Sequence, residues 1–383
     1  MKIVLSGVET NNKGAELMLY AILQEIERKH PEAEVYIPSI RLPNGTEYMN
    51  TKLELKTIPL SRIVSKLHLP GIIRRLHIPE SCLANTNIVR GADWFLDGSG
   101  FAFGDQWVYN EDRIGMWNKM LKKLYVDGCK IIFLPQAFGP VKKKGTIGVL
   151  TVLNRYVNAL YAREQVSYNY LKESGVVDMR KVKIYPDFTS LVDGIFPTEY
   201  ESLKGGICII PNMQMINKGM ITYDRYISLL SAIALEGKKS GHPVYLLNHE
   251  GTKDVSLCMK CKESMGGKIE AVVNLNGLQV KGLISTAYIV VTSRFHGLAS
   301  ALNTCVPSLA TSWSHKYEEL FKDYNLDNFV LPLDDTDAAI KKVKELLEES
   351  KNNQIREHLK LQIPLIKEKT RKMWKDVWMS KFI

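Results

Sequence analysis

Long hydrophobic runs are missing. The most apolar stretches, Ile131–Pro135 and Tyr288–Val291, fall far short of the ~18–20 residues that a helix needs to cross a bilayer. Met1-Lys2 leads straight into Ile3–Leu5 and polar Ser6-Gly7, with no apolar core and small-residue cleavage site of a secretory signal, so a cytoplasmic protein is expected. Cysteine is scarce, six in 383 residues, which excludes a disulfide framework. Cys258 and Cys261 form a Cys-x-x-Cys, but no second pair or His-x-x-x-His nearby completes four zinc ligands, and no metal is expected. The glycine-rich stretch Asp97–Asp105 has neither the spacing of a dinucleotide fingerprint nor the Lys-Ser/Thr of a P-loop, which argues against NAD and ATP. Lys and Arg outnumber Asp and Glu by 51 to 41, which favours an anionic partner. The positive charge is dispersed and no nucleic-acid-binding module is recognisable, so nucleic acid is not expected. Phosphorylated small molecules, an anionic membrane and an evenly basic, solvated surface all remain open.

What is present is an average globular composition, 45% hydrophobic and 24% charged, over a length that suits two α/β domains of roughly 150–200 residues each. The run Lys2–Val8, the polar loop Glu9–Gly14 and an amphipathic segment from Ala15 to about Lys29 read as a β-loop-α unit. Trp94–Leu96, Lys130–Leu134 and Leu160–Arg163 open similar units. The alternation resumes after Gly205-Gly206 with strand Ile207–Ile210, helix Tyr223–Lys239, strand Pro243–Asn248, helix Lys253–Met265, strand Ala271–Leu275, helix Leu278–Thr286, strand Tyr288–Thr292, helix Phe295–Asn303 and strand Pro307–Thr311. Such alternation predicts parallel, doubly wound sheets. The turn-rich stretch Gly194–Lys204 places a boundary there, giving domains over 1–195 and 196–355 and a closing segment over 356–383. Pro364 is expected to break the helical stretch Thr336–Leu361 from a last helix Lys367–Lys381, which is expected to cross back onto the first lobe.

Ligands of open parallel sheets sit beyond the carboxyl ends of the strands. Asn12-Lys13-Gly14 precedes a helix whose free N–H groups suit a phosphate or carboxylate, although Asn11 or Asn12 capping the helix explains the same residues without a ligand. Gly98-Ser99-Gly100 forms either a backbone nest for an anion or a tight turn, and Asp105 after it suits hydrogen bonding to a sugar. The strongest local signal is Ser293-Arg294-Phe295-His296-Gly297. A buried strand there delivers a planar cationic fork and a group that moves protons near neutral pH. The competing reading is a helix-start histidine beside a surface arginine. Lys316 follows the next strand and adds a cation, and the loop Asn248–Lys253 can reach the same edge.

In this order these motifs resemble the polysaccharide pyruvyl transferase family. The resemblance runs through Asn12-Lys13-Gly14-Ala15-Glu16, Gly98-Ser99-Gly100, Pro135–Pro140, Ala162-Arg163-Glu164 with Ser167, Ser293–Gly297, Ala301-Leu302, Val306-Pro307 and Lys316. It implies two facing Rossmann-like lobes of the GT-B type, and transfer of a carboxyethylidene group from phosphoenolpyruvate to two hydroxyls of a glycan sugar. It implies no cofactor beyond that co-substrate. Arg294, His296 and Lys316 are then expected at the donor, His296 with Asp105 or Glu16 in proton transfer, and Asn12, Lys13, Gly14, Gly98, Ser99 and Gly100 in acceptor- or anion-binding loops. Two departures stand out. Ala15 holds the place where many relatives have an acid, with Glu16 following. Pro211-Asn212-Met213 stands where many have an arginine, so either a second donor-binding cation comes from elsewhere, with Lys218 and Arg225 as candidates, or the donor differs. The alternative is a GT-B glycosyltransferase using a nucleotide sugar.

Family acceptors often grow on a lipid carrier, so docking at the inner face of the membrane is a further expectation. The stretch Lys56–Glu80 interleaves Ile58, Leu60, Ile63, Leu67, Leu69, Ile72 and Ile73 with Arg62, Lys66, Arg74 and Arg75, a pattern that suits an anionic surface. Trp374 and Trp378 read either as part of that surface or as the buried face of the last helix.

Overall fold

The computed structural model describes residues 1–38, 42, 49, 51–58 and 90–379. The chain divides into two compact units, one of Met1–Asn11, Met18–Phe188 and Lys369–Ile383, the other of Asn12–Leu17 and Thr189–Glu368.

The first unit is a seven-stranded parallel sheet. Its strands are β1 (Lys2–Ser6), β2 (Glu34–Pro38), β3 (Glu54–Ile58), β4 (Trp94–Asp97), β5 (Lys130–Gln136), β6 (Ala159–Ala162) and β7 (Val182–Ile184), in the order β3-β2-β1-β4-β5-β6-β7. The helices are α1 (Lys13–Lys29), α2 (Glu111–Val126), α3 (Lys144–Tyr156) and α4 (Gln165–Ser174). Every residue of β4 and β6 is buried, as expected of strands covered on both faces. Local chemistry sets the helix ends: Asn110 caps α2, Glu164 caps α4, and Gly175 stops α4 with φ +67°.

The second unit carries a five-stranded parallel sheet in the order β10-β9-β8-β11-β12. The elements are β8 (Ile207–Ile210), α5 (Gln214–Asn217), α6 (Tyr223–Lys239), β9 (Val244–Leu247), α7 (Gly251–Ser264), β10 (Glu270–Val272), α8 (Gly277–Ser285), β11 (Ile289–Thr292), α9 (Phe295–Asn303), β12 (Ser308–Ala310), α10 (Lys316–Asp323), α11 (Thr336–Leu347) and α12 (Glu349–Met379). Asn276 and Gln279 form a reciprocal capping box at α8. Cys258 and Cys261 lie on the buried side of α7 and are part of the apolar core.

Two expectations change. The division falls after Phe188 rather than at 195, because the turn-rich stretch docks on α8. A Cβ on Gly194 would stand 2.4 Å from the Gly282 nitrogen, and one on Gly282 would stand 2.2 Å from the Ile195 carbonyl, so the paired glycines let two backbones touch. Lys281, 1% exposed, ties that stretch down by donating to the Thr189 carbonyl and to Asn303 Oδ1. The helix break also moves. It lies at Glu348, whose backbone is extended, while Pro364 sits inside α12. Pro364 forfeits one backbone bond, but neighbouring Leu361 and Leu365 are exposed, so water reaches the freed carbonyl side and the helix runs on.

From Lys369 onward α12 belongs to the first unit. Trp374, 2% exposed, meets Phe188 edge-on at 5.9 Å and stacks on Trp378 at 6.3 Å. Trp378 Nε1 donates to Glu25 Oε1 at 2.8 Å, and Asp376 accepts from Lys183 and the Tyr185 hydroxyl. Both tryptophans are thus spent on packing. Among the described residues no helix is long and apolar enough to cross a membrane. The proposed membrane-docking residues from Leu60 to Glu80 lie outside the described residues.

Candidate active site

The sheet of the second unit reverses strand order between β8 and β11, and the crevice beyond such a point is where ligands bind. Four loops leave the carboxyl edge there. Their anchor is Ser293, whose carbonyl accepts from Asn212 Nδ2 at 2.7 Å and the Tyr317 hydroxyl at 2.6 Å. Its own hydroxyl bonds Tyr226 and Thr311. This buried web ties the loops after β8, β11 and β12 together, so the Arg294–His296 turn is held on three sides.

Arg294 directly precedes α9, its N–H bonded to Thr292 Oγ1 at 3.0 Å. Its guanidinium donates through Nε to Asp254 Oδ2 at 2.8 Å, and pairs with both Asp254 and Glu250 through its terminal nitrogens. Burial works against the charge, but the two carboxylates outweigh it and push the pKa of Arg294 upward. Burial also raises the pKa of Asp254, against the pull of Arg294. The fork expected to await a donor is therefore already in contact with two acids.

The segment Asn12–Leu17 packs within this unit. Asn12 and Glu250 form an antiparallel bridge, and the Lys13 N–H donates to the His249 carbonyl at 3.0 Å. Asn12 Oδ1 accepts from the Gly14 and Ala15 N–H groups, capping α1. A Cβ on Gly14 would stand 2.3 Å from His296 Nδ1, so only glycine lets the helix start lie against the imidazole. Lys13 Nζ pairs with Glu16 at 2.9 Å, with the Glu16 side chain fully buried. Lys316, 8% exposed, holds its ammonium 4.2 Å from the Trp313 ring centroid and 5.8 Å from that of Phe295.

Sequence reasoning named the Asn248–Lys253 loop but not its two main contributions. Glu250 and Asp254 stand four residues apart at the head of α7, so both face Arg294. His249 is 3% exposed, and its Nδ1 has no hydrogen-bond partner. Burial first, then the charges of Arg294, His296 and Lys13, hold its pKa well below the usual histidine value, so it is neutral.

The remaining expected residues belong to the first unit or are exposed in the second. Asp105 belongs to the first unit, where its carboxylate accepts from the Lys142 and Lys143 N–H groups at 2.7 and 3.0 Å. Burial would raise its pKa, but the bonds from Lys143, Thr146 and Lys142 outweigh it and lower it. It anchors the loop before α3. Gly98, Ser99 and Gly100 also belong to the first unit. Ser99 N–H bonds Asp97 Oδ1 at 3.0 Å, and a Cβ on Gly98 would stand 2.9 Å from Val8, so these residues make a tight packed turn. Lys218 and Arg225 are exposed, and Arg225 donates to the Leu333 and Asp334 carbonyls. Lys13, directly before the Gly14 that lies at the His296 ring, belongs to the same unit as Arg294.

Two parallel α/β units with a helix returning to the first define a protein of the GT-B fold. Solved structures bear this out. The UDP-GlcNAc 2-epimerase of Neisseria meningitidis bound to UDP-GlcNAc matches with a TM-score of 0.62 at 10% identity, over 100% of both chains. Anabaena HepE in complex with UDP and glucose matches at 0.60 and 10%, over 97% of this chain and 98% of that one. A glycosyltransferase from Rickettsia africae matches at 0.57 and 10%, over 99% of each. No protein of curated function matches the sequence. Residues 12–315 match the polysaccharide pyruvyl transferase model, and the chain belongs to that family.

Proposed function

We propose that the protein transfers a carboxyethylidene group from phosphoenolpyruvate to two hydroxyls of a glycan sugar, releasing phosphate. The observation that carries this reading is the meeting of the two family motifs in one unit, where Gly14 lies against His296 and the Lys13 N–H bonds the His249 carbonyl next to Glu250, which pairs with Arg294. In this reaction a proton goes to the methylene carbon and leaves an electron-poor centre at the carbon bearing the phosphate. One hydroxyl adds there, the carbon–oxygen bond to phosphate breaks, and the second hydroxyl closes the ketal. One hydroxyl proton replaces the one given to carbon, and the other leaves on the phosphate.

His296 is the proton donor and then acceptor. Lys13, Arg294 and Lys316 hold the carboxylate and phosphate of the donor. Glu16, buried and paired with Lys13, orients that lysine. The acceptor is a glycan, on a lipid carrier at an anionic membrane face or free.

Thermal unfolding with added ligand tests the reading. Phosphoenolpyruvate at about 100 times its Kd stabilises by about 2.7 kcal/mol, and His296→Ala abolishes phosphate release while retaining that stabilisation. Stabilisation by a UDP-sugar and none by phosphoenolpyruvate supports the nucleotide-sugar glycosyltransferase instead.

A further inference from the structure

The second unit has a groove of about 610 Å³ lined by Arg225, Ser312, Trp313, Glu318, Leu331 and Asp334, among others. That volume lies within the ~300–1,000 Å³ of small-ligand sites. Its walls are fixed by backbone bonds. The Ala310 N–H donates to the Phe329 carbonyl and the Leu331 N–H to the Ala310 carbonyl, so the segment around Val330 runs as an extra parallel bridge beside β12. Arg225 Nη2 reaches the Leu333 and Asp334 carbonyls at 3.3 Å each and braces the wall further on. On the β12 side, Ser312 Oγ donates to the Ser314 carbonyl at 2.8 Å and lies 3.5 Å from Glu318. The Trp313 ring is pinned by Lys316, and its N–H is shielded from solvent, so the indole offers carbon to the groove.

We propose that this groove binds an uncharged sugar residue of a glycan. A pyranose presents a C–H face that packs on an indole and a rim of hydroxyls that donate to carboxylates. The groove offers both, with Trp313, Leu331 and Val330 beside Glu318 and Asp334. The two carboxylates oppose phosphates, which separates this groove from a donor site and from a nucleotide pocket. Lys316 opens α10 with its ammonium 4.2 Å from the Trp313 ring centroid, so a sugar seated here is held beside a candidate donor-binding lysine. The inference rests on the groove alone and does not depend on the donor.

Saturation-transfer NMR on the full chain tests it, with neutral hexose and N-acetylhexosamine disaccharides and their methyl monosaccharides as probes, and UDP as the competitor. We expect transfer to at least one disaccharide at millimolar concentration, retained in His296→Ala. The Glu318→Gln/Asp334→Asn double variant weakens it about tenfold or more, the effect of lost bonds to charged acceptors. Arg225→Gln, which alters only an exposed side chain, weakens it in the same direction and serves if the double variant fails to fold. A monosaccharide bound as well as its disaccharide, with the same sensitivity to these variants, still supports the site and confines it to one ring. Absence of transfer to every sugar, transfer unaffected by the double variant and by Arg225→Gln, or displacement by UDP overturns the proposal.

Discussion

Replacing Gly14 with alanine separates a helix effect from a site effect. In most helices such a change gains up to about 1 kcal/mol. Here the added Cβ would lie 2.3 Å from His296 Nδ1, 2.7 Å from Cγ and 2.9 Å from Cβ. Because the third contact is to the atom next to the backbone, rotating the imidazole does not relieve it, and either the first turn of α1 or the start of α9 must move. Overpacking of this kind costs about 1–3 kcal/mol. In a His296→Gly background all three contacts vanish, so Gly14→Ala becomes nearly neutral there, and the double-mutant cycle shows a coupling of about 1–3 kcal/mol. Urea midpoints of the four proteins, at unchanged m-value, measure it. Phosphate release by Gly14→Ala, with phosphoenolpyruvate and glycan supplied, falls by about 10²-fold if the imidazole shifts by about 1 Å. A wild-type midpoint and rate for Gly14→Ala, or a strictly additive cycle, refutes the reasoning.

Asp105→Ala removes the acceptor for two backbone N–H groups and is expected to cost about 1–3 kcal/mol in urea unfolding while kcat changes by no more than a few-fold. A loss of about 10²-fold in kcat at full stability would return Asp105 to the chemistry. His249 predicts an acid-sensitive fold, because its folded pKa is depressed well below 6.5. Below about pH 6.5 the unfolded chain binds a proton that the native one refuses, so stability falls by about 1.4 kcal/mol per pH unit until the native value is reached. His249→Asn removes that component, and equal slopes in variant and wild type would sink the assignment.

Much of this architecture was legible because the strands are short, fully buried apolar runs between turn residues. Helices Tyr223–Lys239 and Phe295–Asn303 fall where periodicity placed them. What stayed hidden is non-local. Residues 12–17 read as part of the first lobe because they follow β1, yet their contacts assign them to the second unit, and no local pattern announces a partner some 240 or more positions away. Arg294 reads as an available cation for the same reason, since a sequence displays the charge but not the carboxylates folded against it. The spacing of Glu250 and Asp254 was the usable signal, being one helical turn. Pro364 misled because breaking a helix is the rule in isolation, whereas α12 is anchored in both directions, by Asn352 and Arg356 near its start and by Trp374 near its end.

The charges of the candidate site balance, and that bears on how an anionic donor enters. Lys13 is paired with Glu16, and Arg294 with Glu250 and Asp254, while Lys316 is held among aromatic rings. A donor bearing a carboxylate and a phosphate cannot simply add to such a set without placing like charges together. The two acids on Arg294 are not equivalent. Asp254 is 1% exposed at its side chain and also accepts from the Met213 N–H at 3.0 Å, whereas the Glu250 side chain is 33% exposed. Removing Asp254 would leave Arg294, whose side chain is 12% exposed, without its buried partner, a loss of about 3–5 kcal/mol, but Glu250 can turn to water. On the proposed reaction the donor carboxylate or phosphate therefore takes the place of Glu250, and Arg294 exchanges one anion for another without ever being buried alone. On the same proposal Asp254 stays bound throughout, because its buried carboxylate bonds both Nε and a terminal nitrogen and so fixes the plane of the guanidinium.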